Sequence, residues 1–331
     1  MSELQPVDVV GIGNALVDVL SHEEDDFLDR IGVVKGGMAL IDEERAAAIY
    51  DLMGPAVEIS GGSVANTMVG LVSFGGSARF LSRIRDDQLG LVFAHDLRAA
   101  GVEFDVPPAT DGPASGCCLI VVTPDAERTL NTFLGASAHF GPDDVDPASI
   151  AAAQVLYLEG YLFDTSEAQA AFRAAAALAN DSGTLVAVSL SDGFCVERHR
   201  DAFTALIEDH VDLLFANSEE ITSLYEVDDF DEAAARVRHC GTTAALTRGA
   251  AGSLIVTESD SIAVPAVAVE RVVDTTGAGD LYAAGFLYGF THDLPLGVCG
   301  QLGSIAAGEV ISHIGARPMV SLRDLAADIL D

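Results

Sequence analysis

The sequence predicts an α/β protein built on a mostly parallel sheet, with a small β-sheet lid at its side. Three observations lead there: strand-length apolar runs alternate with longer Ala-rich amphipathic stretches, turn residues close each run, and two segments break the alternation. Val7 to Ile12 reads as the first strand, and Leu185 to Leu190, Val211 to Phe215, Ala244 to Thr247 and Leu254 to Val256 as later ones. Glu167 to Ala179 and Phe230 to Cys240 have the spacing of helices that cover a sheet. Gly36 to Ile41 and Ala114 to Leu134 carry strand-like runs, among them Cys117 to Val122 and Arg128 to Phe133, joined by turns without helices. Such pieces read as a small sheet projecting from the main body. Val269 to Val273 reads as a last strand, followed by a Gly turn and a helical run from Leu281 to Phe290.

The 331 residues, half of them hydrophobic, are enough for one large domain or one and a half at roughly 150 residues per domain. Seventeen basic against 51 acidic residues give a net charge of −34, which repels a phosphate backbone and argues against nucleic acid as a partner. The excess fits either a salty habitat or simply a soluble surface. Lys35 is the only lysine, and Gly36 follows it, so no Walker A loop is present; a protein kinase would need a strand lysine and an H-R-D loop, and the loop is absent. Cys117 and Cys118 are adjacent while Cys195, Cys240 and Cys299 stand alone, which fits reduced thiols in a cytoplasm. MSELQPVDVVGIGN lacks the pattern of a signal peptide and no apolar run reaches membrane-spanning length, so neither secretion nor a membrane partner is expected.

The chemistry concentrates in Asp274 to Asp280, DTTGAGD, at the turn before the last apolar helical run. The backbone N–H groups of Gly277, Ala278 and Gly279 are expected to be free at that helix start, where the helix dipole favours an anion. Missing side chains at Gly277 and Gly279 let a phosphoryl group approach. Asp280 sits in the first turn beside this cradle, placed to accept a proton from an attacking hydroxyl, or else to cap the helix.

DTTGAGD resembles the D-T-x-G-A-G-D signature of the ribokinase-like (PfkB) carbohydrate kinase family, without a departure, and GGSVAN at Gly61 to Asn66 resembles that family's other signature. The resemblance implies one domain over residues 1–331, a ribokinase-like three-layer sandwich whose lid comes from segments about 14–42 and 102–134. It implies an ATP-dependent kinase with Mg²⁺, in which Asp280 is the base and Gly277, Ala278 and Gly279 the anion hole. Asn217-Ser218-Glu219-Glu220 resembles the family's N-x-x-E, so Glu220 is expected to organise Mg²⁺ and Asn217 to lie near the phosphates. Thr247, Gly249 and Gly252 resemble the T-x-G-x-x-G stretch lining the nucleotide, and Thr275 belongs to the same site. Some members need a monovalent cation, which leaves a K⁺ near the Asp274 loop open. Both a monomer and a lid-mediated homodimer fit.

For the acceptor, Gly11 to Asp18 leaves the first strand with Leu16 where a dinucleotide-binding turn would need its third glycine, which speaks against a nicotinamide oxidoreductase. By the resemblance Asp18 binds a diol, Asn14, Gly61, Gly62, Ser63 and Asn66 hold the same sugar, and Arg128 reaches the phosphates on closure. GN-x-x-x-D, GGSVAN, YLEGYLF at Tyr157 to Phe163 and LSDGF at Leu190 to Phe194 look closer to the adenosine kinase branch, with Tyr161 and Phe194 as purine-facing aromatics. The T-x-G-x-x-G stretch looks instead like the sugar-kinase branches. The 5′-hydroxyl of adenosine is therefore the expected acceptor, with ribose, fructose or another free sugar as the alternative and a non-catalytic nucleoside- or sugar-binding protein further off.

Overall fold

The computed structural model describes residues 4–125 and 127–330. The larger of its two sheets has the order β13 (Ser261–Val264), β12 (Ser253–Val256), β11 (Thr243–Thr247), β10 (Leu213–Asn217), β9 (Leu185–Ser189), β8 (Ala153–Glu159), β1 (Val7–Ile12) and β5 (Ala78–Leu81). The six strands from β11 to β5 are parallel, and β12 and β13 close the edge as antiparallel strands. Apolar side chains of its strands alternate between two cores. One face lies under the helices Ser63–Phe74, Ala278–Thr291 and Leu296–Val310, the other under Ser166–Ser182, Gly193–His210, Ser218–Tyr225 and Phe230–His239. This gives the three layers, because parallel strands need crossover helices and those helices bury both faces.

The second sheet runs β3 (Met38–Leu40), β7 (Arg128–Phe133), β6 (Gly116–Val122), β2 (Leu16–His22) and β4 (Ala56–Gly61). It takes strands from both segments expected to build a lid and adds β4, which lies outside them. The segment 14–42 also carries a helix, Asp25–Ile31, ended by Gly32 in the left-handed region. Asp18, just beyond the end of β1, is the third residue of β2, opposite Ile59 of β4 and Cys118 of β6.

Val269 to Val273 forms no strand. With β13 already closing the edge, this run lies along the helix Leu296–Val310 instead: Gly308 faces Val267 and Val269, and the Val273 N–H donates to Ile311 O at 2.8 Å. Among the described residues no helix is long and apolar enough to cross a membrane.

Candidate active site

At the start of the helix Ala278–Thr291, Gly277 adopts φ +78° and serves as N-cap without a side chain to cap it. A Cβ at Gly277 would lie 2.7 Å from the Ala316 Cβ, so this glycine is required by backbone conformation and by contact with residue 316; Gly279 faces open space. The Ala278 amide is not free as expected, because the turn closes with its donation to Thr275 O at 3.2 Å. The N–H groups left without an acceptor among the described residues are those of Gly277, Gly279 and Asp280. They form the anion-binding end of the helix.

Asp280 does not cap its helix. Its Oδ1 accepts from Ser63 Oγ at 2.7 Å and its Oδ2 from Asn66 Nδ2 at 3.1 Å, both on the first turns of the helix Ser63–Phe74. Burial raises the Asp280 carboxyl above its usual range against the opposing pull of those two hydrogen bonds. Ser63 and Asn66, expected on the sugar, thus hold the candidate base in this structure.

Asp18 meets the cleft from the small sheet. A Cβ at Gly61 would fall 2.6 Å from its Oδ2, so Gly61 makes room for that carboxylate, and Gly62, at φ +98°, would strike Asn14 O with any side chain. Burial pushes Asp18 up to about 6; Arg128 and Arg317 draw it down and Asp280 adds to the rise. Asn14 is only 1% exposed and does not line the cleft. Its Nδ2 donates to Glu159 Oε1 at 2.6 Å and its Oδ1 accepts from Ser137 Oγ at 3.1 Å, fixing the link between β1 and β2. The other Glu159 oxygen accepts from the Asn14 and Val64 amides, each at 3.2 Å, and burial pushes Glu159 up to about 7.

Arg128 crosses from β7 to the catalytic turn, where its Nη1 pairs with Asp274 Oδ2 and reaches Thr276 Oγ1 at 3.3 Å. With its side chain 13% exposed, it binds the two sheets together here instead of standing free for phosphates. Asp274 also accepts from Gly315 N and from Thr276 N and Oγ1. Although burial acts to raise it, these hydrogen bonds and Arg128 hold its carboxyl below the usual range. The residue beside which K⁺ was considered thus already has a guanidinium.

On the nucleotide side, Asn217 and Glu220 form a reciprocal cap on the helix Ser218–Tyr225: Glu220 N donates to Asn217 Oδ1 at 2.9 Å, while Asn217 N and Nδ2 donate to the Glu220 carboxylate. Burial pushes Glu220 up to about 7. A buried carboxylate with no cationic partner among the described residues and lone pairs still open fits a cation held through water, as Mg²⁺ is. Thr247 ends β11, Gly249 (φ +54°) opens a short 3₁₀ turn, and Gly252 (φ +82°) packs where a Cβ would lie 2.1 Å from Val264 O. Thr275 is exposed at the turn and lends only its carbonyl to Ala278. Phe194 is 73% and Tyr161 38% exposed, and neither stacks on another ring among the described residues. Proximity to Asp192, Asp280 and Glu220, after burial, raises the Tyr161 phenol.

Sequence reasoning passed over Glu159 and Arg317. Glu159 had a signal, a lone acid ending the apolar run VLYLE. Arg317 had none beyond its place in the segment Gly315 to Pro318.

The pfkB family carbohydrate kinase model matches residues 46–322. The chain belongs to that family. It is an ATP-dependent kinase acting on an alcohol group. Among solved structures, a probable sugar kinase from Rhizobium etli CFN 42 superposes with a TM-score of 0.90 at 44% identity, covering 98% of this chain and 99% of that one. An adenosine kinase from Sinorhizobium meliloti gives 0.89 at 46% identity over 98% and 99%. Adenosine kinase 2 from Arabidopsis thaliana is 24% identical over 93% of this chain and 94% of its own length.

Proposed function

We propose that the chain transfers the γ-phosphoryl group of ATP to the 5′-hydroxyl of adenosine, with the small sheet acting as a lid over the acceptor. The observation that carries the transfer is the single turn where Asp280 stands beside the free amides of Gly277 and Gly279, held by Ser63 and Asn66. The acceptor rests on the likeness to the adenosine kinases and on Asp18, whose carboxylate has the two acceptor oxygens a ribose diol needs.

Asp18 binds the diol from the lid side. That leaves the primary hydroxyl toward Asp280, whose carboxylate takes its proton at Oδ1 or Oδ2 as the bond to phosphorus forms. A loose phosphoryl-transfer transition state asks for orientation more than basicity, so a carboxylate suffices. The Gly277, Gly279 and Asp280 amides donate to the charge that builds on the transferring group. Bound Mg²⁺ would neutralise triphosphate charge, with Glu220 as the residue holding its water shell. Lid closure excludes water, which otherwise competes for the phosphoryl group.

A free sugar is the second reading, favoured by the exposed Phe194 and by the likeness to the Rhizobium sugar kinase. ADP formation measured with adenosine, inosine, ribose and fructose in parallel separates the two. Adenosine is expected to give the highest kcat/KM; ribose or fructose exceeding it would replace the acceptor while leaving the transfer intact.

A further inference from the structure

The segment Gly315 to Arg317 follows the helix Leu296–Val310 and belongs to neither signature, yet it touches the catalytic turn repeatedly. The Gly315 N–H donates to Asp274 Oδ2 at 3.0 Å, Ala316 fills the space beside Gly277, and the Arg317 side chain runs on toward the base. Its Nε donates to Asn66 Oδ1 at 3.4 Å and its Nη1 to Asp96 Oδ2 at 3.3 Å. The same Asp96 oxygen accepts the Ser60 N–H at 2.8 Å and hydroxyl at 2.6 Å, on β4 just before Gly61 and Gly62.

An Asn side chain is a two-ended group, and which end faces which neighbour decides what it can do. Here a guanidinium can only donate, so it fixes the carbonyl end of Asn66 toward Arg317 and leaves the amide end for Asp280. With the orientation reversed, Asn66 would present its oxygen to a carboxylate and repel it. Arg317 thus favours the Asn66 orientation that serves Asp280 at 3.1 Å, without touching Asp280 itself.

We infer that Arg317 is a positioning residue of the phosphoryl-transfer site, acting through Asn66 to orient the Asp280 carboxylate and anchored by Asp96 to the lid strand β4. It rests on the reading of Asp280 as base, and goes beyond it in tying the base to the C-terminal segment and the lid. Arg317 is 16% exposed and its Nη2 has no partner among the described residues. Burying a guanidinium in that state is costly for a merely structural contact. A planar fork that serves two acceptors at once is also what Lys cannot reproduce.

The test is Arg317→Gln and Arg317→Lys, each alone and combined with Asn66→Ala, assayed for kcat and for the KM of ATP. Misplacing a base by a fraction of an ångström is expected to lower kcat by about 10- to 100-fold with the ATP KM within about twofold. Arg317→Lys is expected to recover only part of the loss. The double variants should be no slower than Asn66→Ala alone; multiplicative losses would show that Arg317 acts by another route and overturn the inference, as would wild-type kcat in Arg317→Gln. A crystal structure of Arg317→Gln gives a readout independent of turnover: the Asn66 side chain should leave its contact with Asp280, and survival of that contact would contradict the relay. If no acceptor is phosphorylated by the wild type, the kinase reading of the site fails while this structural readout still decides the relay.

Discussion

In the eight-stranded sheet β1, β8, β9 and β10 run through the centre with most side chains buried, whereas the five-stranded sheet leaves Met38, Leu40, Val57 and Ile59 in solvent. The first is covered by helices on both faces; the second has one core face, shared with the main body, and one largely open. The two contribute differently to the site. The main body offers fixed backbone: a helix N-terminus, a glycine turn and a base held by two hydrogen bonds. The small sheet offers Asp18 and Arg128, of which Arg128 pairs with Asp274 and Thr276 at the glycine turn. The proposed mechanism would use the first for the transfer and the second to close over the acceptor.

That division predicts different kinetic signatures. Asp280→Asn keeps the side-chain volume and one of the two acceptors but removes the base, so kcat should fall by about 10²–10⁴ while the protein still folds. Near-normal turnover would take Asp280 out of the proposed role. Asp18→Ala removes the two charge-assisted hydrogen bonds proposed to hold the diol, about 1.5–3 kcal/mol each, so the acceptor KM should rise by about 100-fold or more even with water replacing part of the loss. The ATP KM should stay constant; a change there instead would move Asp18 out of the acceptor pocket.

The smallest effect is in pH. Asp18 ionises at about 6, above its ordinary value because burial penalises the charge. Above that pH it is a carboxylate that can accept two hydroxyls; below it the proton takes one acceptor away. The acceptor KM should therefore rise as pH falls through 6, by about tenfold between pH 7 and 5. In Asp18→Asn that limb should vanish; its persistence would assign the titration to another group.

The same contrast explains what could be read in the sequence. The glycine turn was legible because DTTGAGD is local: φ at Gly277, the start of the helix and two of the three expected free amides, Gly277 and Gly279, follow from consecutive residues. The Asn217 to Glu220 cap is equally local, since it rests on a three-residue spacing. The partners of Asp280 were not, since Ser63 lies 217 residues away and nothing in its own surroundings says which carboxylate it will meet. The β4 strand was missed because its alternation is short and leads straight into GGSVAN, and it is formed only by pairing with β2. Val269 to Val273 was read as a strand from its β-branched residues, but propensity gave way to a helix surface where no sheet edge was free.

Calorimetric titration of adenosine into Asp280→Asn in the presence of a non-hydrolysable ATP analogue measures the separation of gripping from transfer most directly. The protein is predicted to bind the nucleoside within about threefold of wild-type affinity while failing to turn it over, as expected where an interaction belongs to the transition state alone. Binding lost together with turnover would contradict the division of labour between Asp18 and Asp280.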